Sequence, residues 1–456
     1  MNMTLSLSAI CEVICADKKP FGTISFVTTD SRDIRPGCLF VALHGEKFDG
    51  HSYINAALAA GAAYAVADIK GDYPADKVLF VGNTQSAFRR IAALYRLGLS
   101  AKIVAVTGSV GKTGTRDMAA AVLSAAYSTV KTQANLNNEI GVPQTVLSIE
   151  SSHEAAVVEM GMSGFGEIEE LSLCARPDIA IITNIGVSHI ELLGSRAGIF
   201  KAKTEITSGL TAGAALVLCG DDDLLCTYDN PRFNIVRFGI NNKSCDVLAE
   251  NIKIENSSTS FEILYKDSRY SALIPALGRH NVLNALAGFT AGVLAGVAPH
   301  EAARALAGYS PTGMRQKMTK YGGVTVVEDC YNASPNSFAA ALHTLSEMPC
   351  DGRRIVIAAD MLELGDFAEG AHKKMGELAA KLKIDSLYAF GELSRQMVAA
   401  AKMCGINDAI HFKNKNELAE YIIRIAKDKD IIWFKASRGM KLEEVIKQFY
   451  EEWNNK

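Results

Sequence analysis

The chain reads as an α/β protein of three units. Three observations predict this. Short apolar runs alternate with helix-period segments along most of the length, which implies parallel sheets covered by helices on both faces. One such run, Ile103-Val104-Ala105-Val106, ends in a glycine turn and a Lys-Thr pair before a helix-like segment. At 456 residues the chain is also too long for one compact core. We expect a small α/β unit over 1–100, a central unit over 101–310 built on a parallel sheet with an antiparallel β addition, and a Rossmann-like C-terminal unit over 311–456.

Each element follows from local pattern. In the first unit, residues 26–29, 38–43, 64–67 and 78–81 are short, apolar and β-branched, and read as strands; 54–60 and 84–97 carry helical spacing. The central unit opens with the strand at 103–106 and a helix over 117–127. It continues with strands at 155–159, 179–184 and 215–219. Residues 250–275 are polar, β-branched and turn-rich, like an antiparallel meander, and an Ala-rich helix over 281–295 follows. The third unit repeats a βαβα layout, with strands at 324–328, 354–359, 386–390 and 431–435 and a helix at 338–345.

Composition excludes several classes. A hydrophobic fraction of 48%, a charged fraction of 21% and a net charge of −3 describe an ordinary soluble protein. They give no electrostatic reason to bind nucleic acid or an anionic membrane. The start, MNMTLSLSAICEVICADKK, lacks the layout of a signal peptide, and no apolar run is long enough to span a bilayer. The ten cysteines are scattered in mostly apolar surroundings, as in a reducing cytoplasm. Cys11 and Cys15 could share a helix face, but no second Cys/His pair completes a metal site, so core packing is expected.

The stretch AKIVAVTGSVGKTGTR carries the sharpest chemistry. Strand, glycine turn, Lys-Thr and helix form the layout that cradles nucleotide phosphates, because backbone N–H groups at a helix N-terminus face the anion. Thr107, Gly108, Ser109, Val110, Gly111 and Gly114 would form the cradle; Lys112 would supply a point charge and Thr113 a hydroxyl for Mg²⁺. The spacing is short: Ser109 and Val110 alone separate Gly108 from Gly111, and Val106 stands where a first glycine belongs.

Other candidates sit at the carboxyl ends of strands, the default ligand position in open α/β sheets. Glu159 ends one strand and is placed to hold Mg²⁺; read alone, it is a surface acid. His189 follows another strand end and divides evenly between a ligand and a structural histidine. Residues 194–206 read as an amphipathic helix with solvated lysines, in which nothing intrinsic separates Lys203 from Lys201. The glycine-rich segment 161–166 does not match the dinucleotide fingerprint and is discounted. The loop 328–337 packs an acid, an aromatic ring and small polar groups directly after a strand. Arg315, near the junction of units two and three, suits either a phosphate clamp or a salt bridge.

These pieces occur in a recognisable order: TGSVGKT, NNEIGVPQTVL, VVEMGMSGFGEI, ITNIGVSHIELLGS with AKTEI, LGRHNVLNALA, GMRQK, EDCYNASPNSFAAAL, ADMLELG and KASRGMKLE. Over nearly its whole length the chain resembles the Mur ligase family. YNASP and DMLELG look specific to the member that adds a dipeptide; the phosphate loop alone would also fit a folylpolyglutamate synthetase. The resemblance implies ATP and two Mg²⁺ ions as cofactors, with Thr113, Glu159, His189 and a carbamylated Lys203 on the metal, and Lys112, Lys203 and His189 as the catalytic set. It implies that His280 and Asn281 contact the adenine and that Arg315 and Asp329 reach ATP from the third domain. Tyr331 and Asn332 lie beside the site, while Ser31, Arg32, Asp49, Gly50 and His51 receive the UDP-sugar. The implied substrates are UDP-N-acetylmuramoyl-tripeptide and D-alanyl-D-alanine, joined through an acyl phosphate by a cytoplasmic monomer. Three departures from the family pattern stand out: Glu328 and Ser334 in EDCYNAS, Ala359 in place of a glycine, and Ala436 in place of a glycine. Two other readings stay open, a different amino-acid ligase of the same kind and a non-catalytic nucleotide-binding scaffold.

Overall fold

The computed structural model describes residues 4–453 except 46, 47, 256, 312 and 314. Thr312 and Met314, next to Arg315, therefore lie outside the described residues, as do Glu46 and Lys47, which fall between the expected Ser31–Arg32 and Asp49–His51 segments. Among the described residues the strands form sheets of two, four, nine and six strands.

The four-stranded sheet is parallel and joins Val27–Thr28, Leu39–Val41, Tyr64–Ala67 and Val78–Phe80. Its side chains alternate. Leu39 and Val41 face the large core, whereas Cys38, Phe40 and Ala42 face a small one with Ile54 and Ala57. The helix Thr84–Leu97 lays Phe88, Ile91 and Tyr95 into the large core, which runs on without a break into residues beyond 100. Tyr95 donates to Ile149 O at 2.6 Å, and Arg96 to Ala175 O at 3.0 Å, so this helix is bonded to the central unit.

The nine-stranded sheet carries the site. In spatial order its strands are Ser268–Ile274, Ser258–Tyr265, Val247–Glu255, Asn234–Gly239, Ala215–Cys219, Ile179–Ile182, Lys102–Thr107, Ala155–Glu159 and Thr129–Lys131. Val247–Glu255 pairs in parallel with Asn234–Gly239, and the last hairpins pair antiparallel, as the polar meander predicts. The strand Lys102–Thr107 lies between Ala155–Glu159 and Ile179–Ile182. Val106 pairs with Glu159 and Thr107 with Ile182, so three strand ends stop at one level. Chain connections diverge there, which opens a crevice.

The six-stranded sheet follows the order Lys317–Tyr321, Val324–Asp329, Ile431–Lys435, Arg354–Ala358, Ser386–Phe390 and Asp408–Phe412, with the first strand antiparallel. Val327 and Trp433 fill one face, and Val326, Ile432 and Phe434 the other. All ten cysteines are free thiols; Cys11 is buried in the core and Cys15 is exposed, so the two do not share an environment. Among the described residues no helix is long and apolar enough to cross a membrane.

Candidate active site

The helix after the phosphate loop begins at Lys112, five residues earlier than its apolar pattern suggests, with Gly111 as N-cap at φ +84°. No side chain caps it, so the first-turn N–H groups stay available, and Gly111–Gly114 line a cavity of about 1420 Å³. The loop is bonded to the neighbouring strand end. Val110 O accepts from Thr183 Oγ1 at 2.6 Å and from Asn184 Nδ2 at 2.9 Å. Val110 N donates to Asn184 Oδ1 at 3.1 Å, and Gly186 N to Ser109 Oγ at 2.8 Å. The loop is therefore held in place by its neighbour.

Lys112 Nζ folds back over this loop and donates to Gly108 O at 2.8 Å. Burial pushes it below the ordinary lysine value; Glu159 opposes that shift and Arg315 adds to it. Thr113 Oγ1 donates to Glu159 Oε1 at 3.2 Å, and Asn137 Nδ2 donates to the same oxygen at 2.9 Å. Glu159 Oε2 accepts from Arg116 at 3.2 Å, and Arg116 also binds Asp117 Oδ1 at 2.7 Å. All four side chains of Thr113, Arg116, Asp117 and Glu159 are buried.

A hydroxyl and a carboxylate oxygen side by side, at the foot of a phosphate cradle, form the hard-oxygen donor set that suits Mg²⁺. Among the described residues no group of three or more His, Cys, Asp or Glu could hold a metal alone. Thr113 and Glu159 fit the implied Mg²⁺.

Lys203 departs from the composition reading of its helix, Arg196–Thr204. Lys201 is exposed, whereas Lys203 is 1% exposed. Burial drives the Lys203 amine well below the usual lysine range, with Lys112 adding to the shift and Glu167 and Glu205 opposing it. Those two acids are already engaged by backbone: Glu205 accepts from Gly166 N at 2.9 Å and Glu167 from Ser163 N at 2.9 Å. Burial, then Lys112 and Lys203, lower His189 to about 4. Lys112 and Lys203 thus both act on His189.

On the opposite wall, His280 Nε2 meets Gln316 Nε2 at 2.8 Å, and Asn281 Nδ2 donates to Gln316 Oε1 at 2.9 Å. Burial lowers His280 to about 4, so its ring is neutral at pH 7. The Arg315 guanidinium lies 4.0 Å from the centre of the Tyr331 ring, and Arg438 lies 5.4 Å from it. Asp329 is paired with Lys435 at 2.9 Å, and Lys435 also donates to Asn332 O at 3.1 Å.

Of the departures, Glu328 and Ser334 have local explanations. Glu328 turns to Lys317 at 3.3 Å and Tyr450 at 3.0 Å, and ties the edge strand. Ser334 caps the helix Pro335–Glu347 in a capping box. Ala359 and Ala436 are fully buried.

The structure brings Ser109–Gly114, Glu159, His189, His280, Asn281, Arg315, Asp329, Tyr331 and Asn332 to one cavity. Ser31, Arg32, Asp49, Gly50 and His51 do not line it. Arg32 is exposed and paired with Asp30 at 2.7 Å. His51 is buried between Asp49 at 2.7 Å and Asp68 at 2.9 Å. The first unit reaches the cavity instead through Asn83, Gln85 and Arg89, and no motif marked these. The discounted segment 161–166 contributes Gly161, Met162 and Ser163 to the wall. Asn137, Asn284 and Lys435 also belong here; each lies in a stretch that carries the family resemblance but has no chemistry of its own to single it out.

Three family models match the chain: "Mur ligase family, catalytic domain" at residues 23–95, "Mur ligase middle domain" at 106–292, and "Mur ligase, glutamate ligase domain" at 314–438. The UDP-N-acetylmuramoyl-tripeptide–D-alanyl-D-alanine ligase of Bacillus subtilis is 40% identical over 429 residues, covering 93% of each chain. The enzyme of that name from Escherichia coli is 34% identical over 434 residues, covering 94% of each. A crystal structure of MurF from Acinetobacter baumannii superposes with a TM-score of 0.89 at 27% identity over 99% of both chains. The MurF ligase of Thermotoga maritima, solved in complex with ADP, gives 0.83 at 29% identity over 94% of this chain and 98% of its own.

Proposed function

The chain belongs to the Mur ligase family, and from that premise we propose that it joins D-alanyl-D-alanine to UDP-N-acetylmuramoyl-tripeptide at the expense of ATP, a step of peptidoglycan precursor synthesis in the cytoplasm. One observation carries the reading. A single cavity of about 1420 Å³ is walled by Asn83 and Arg89 from the first unit, Gly111–Thr113 from the second, and Arg315 and Tyr331 from the third. A reaction with three substrates needs such a meeting point.

In the reaction, a carboxylate oxygen of the tripeptide bonds to the γ-phosphorus of ATP while the bond from that phosphorus to the β-γ bridging oxygen breaks. ADP leaves and an acyl phosphate remains. The neutral amine of the dipeptide then attacks the acyl carbon, phosphate departs, and the amine proton passes to solvent or base. The protein's part is to position the reactants and neutralise charge. Lys112 and the N–H groups of residues 111–113 bind the phosphates. Thr113 and Glu159 would hold Mg²⁺, which would offset phosphate charge. His280, Asn281 and Gln316 form the wall offered to the adenine, and Arg315 meets the nucleotide from the third unit.

Lys203 is the residue whose surroundings favour a modification. Burial makes its amine give up a proton more readily than an ordinary lysine, and the neutral form can attack CO₂; loss of a proton then leaves a carbamate. That anion would answer the positive charge of Lys112 and face the metal, which an ammonium could not do. The UDP end belongs to the first unit, where Ser31 and Arg32 lie near the boundary with the second; Gln144 Nε2 donates to Thr29 Oγ1 there at 3.2 Å.

Phosphate release from ATP with UDP-N-acetylmuramoyl-tripeptide tests the reading. It should require D-alanyl-D-alanine and should not be supported by single amino acids or glutamate. Lys112→Ala should lower turnover by roughly 10³-fold. Full turnover in that variant would sink the phosphate-loop assignment and favour a scaffold.

A further inference from the structure

One motif has no part in the chemistry above: Asp360-Met361-Leu362-Glu363-Leu364-Gly365. Its first half is fastened inside the third unit. Asp360 Oδ1 accepts from Ser394 N at 2.8 Å and Ser394 Oγ at 2.6 Å. Met361 N donates to His372 Nε2 at 2.9 Å, and Leu362 N to Ser437 Oγ at 3.0 Å. The chain then turns outward at Glu363, a non-glycine residue held at φ +64°. On the second unit, His189 stands at φ +63°, before the single helical turn Ile190–Leu193. Left-handed backbone at a bulky residue costs about 1–2 kcal/mol and persists where neighbours over-determine it.

These two strained residues meet across the boundary. His189 Nδ1 lies 3.4 Å from Glu363 Oε2. The contact does not stand alone. A Cβ on Gly365 would come within 3.2 Å of Glu191 Cγ, and one on Gly186 within 2.7 Å of Asn336 Oδ1. The third unit therefore rests on the second on both sides of His189. A neutral imidazole has one N–H, and the partner of one nitrogen decides which face of the other is left to a ligand.

We infer that Glu363 is a positioning residue for His189: its carboxylate takes the Nδ1 side of the ring when the third unit sits on the second, and so leaves Nε2 to the ligands of the cavity. The inference rests on the amide-ligase reading above. It couples seating of the third unit to assembly of the site, because the carboxylate comes from one unit and the imidazole from the other. Glu363 is 64% exposed on its side chain, so changing it removes the contact without opening a core.

The test compares full-length Glu363→Ala and Glu363→Gln with wild type. Glu363→Ala should lower kcat about tenfold, as displacement of a catalytic group does, while KM for ATP stays within about twofold. Glu363→Gln keeps an oxygen for the Nδ1–H and should recover to within about threefold of wild type. In the ligand-free protein, backbone hydrogen exchange over residues 187–193 should quicken about fivefold or more in Glu363→Ala and stay unchanged in Glu363→Gln. Wild-type kcat in Glu363→Ala overturns the inference, and so does an equal loss in both variants with exchange unchanged. If wild type itself released no phosphate with the three substrates, the ligase reading would fall, and the exchange comparison would still decide whether Glu363 restrains His189.

Discussion

A Cβ placed on Gly108 would lie 1.9 Å from Thr183 Oγ1, the hydroxyl that holds the phosphate loop by donating to Val110 O. Gly108 also sits at φ +147°, where a side chain is strained whatever the space. The glycine is therefore required twice, by its backbone conformation and by the close approach of a neighbouring strand end. Gly108→Ala should push Thr183 off Val110, lower stability by about 2 kcal/mol or more and raise KM for ATP at least about tenfold. Urea unfolding and ATP-dependent phosphate release read the two effects.

Arg116 gives a second prediction. Its guanidinium is fully buried and joins Glu159 Oε2 to Asp117 Oδ1, and Lys131 Nζ adds a 2.8 Å contact to Asp117. Removing one member of a buried ionic set leaves the others uncompensated, a cost of about 3–5 kcal/mol. Arg116→Met should therefore shift the urea midpoint strongly. Arg116→Lys, which keeps the charge but loses the fork, should fall between Met and wild type. A midpoint for Arg116→Met equal to wild type would show that the network contributes nothing to stability.

Acid stability follows from His280. Burial holds it at about 4, against an ordinary value of 6.5. Between those two values the unfolded chain binds a proton that the folded chain does not, so stability rises with pH through this window. It is complete above about pH 6.5 and is lost as pH falls toward 4, by up to about 3 kcal/mol for this one group. His189, depressed to about 4 in the same direction, adds to the loss. Urea unfolding at pH 7 and pH 4.5 should show a smaller drop for His280→Gln than for wild type. Equal drops would mean that His280 is not held neutral by the fold.

The parts of the site that were legible in the sequence are the ones set by neighbours in the chain. Strand Lys102–Thr107, its glycine turn and Lys112-Thr113 are read from consecutive residues, and Glu159 is read from the end of an apolar run. What escaped is decided at long range. Lys201 and Lys203 are indistinguishable by composition, yet one is exposed and the other buried, because only the Lys203 side of the helix faces the interior. Asn284 lies against Gly111 and Gly114 from a helix far along the chain, and its own surroundings read only as an Ala-rich segment. The edge strand Lys317–Tyr321 is half-polar and offers no apolar run to detect. Asp49 and His51 stand in a stretch similar to the family's UDP-binding domain, and their side chains join each other and Asp68, a contact no local pattern announces. Residue type and order reveal a chemistry; which copy of a residue performs it depends on what that copy packs against.

Lys203 supplies the last prediction. A carbamate forms only on an uncharged amine, and burial, with Lys112 nearby, keeps this amine far below the usual lysine range. Lys201, exposed on the same helix and lying 5.6 Å from the centre of the Phe165 ring, has no such surroundings and serves as the internal control. Protein equilibrated with ¹³C-bicarbonate at pH 7.5 should show a carbamate carbon resonance that survives in Lys201→Arg and is absent in Lys203→Arg. Arginine has much of the length but stays positively charged and cannot supply a neutral amine. It would put a second cation beside Lys112 where the proposed reading places an anion, so turnover of Lys203→Arg should fall by at least about 10²-fold. A carbamate signal that persists in Lys203→Arg would place the modification elsewhere, and full turnover in that variant would show that the reaction does not need an anion at this position.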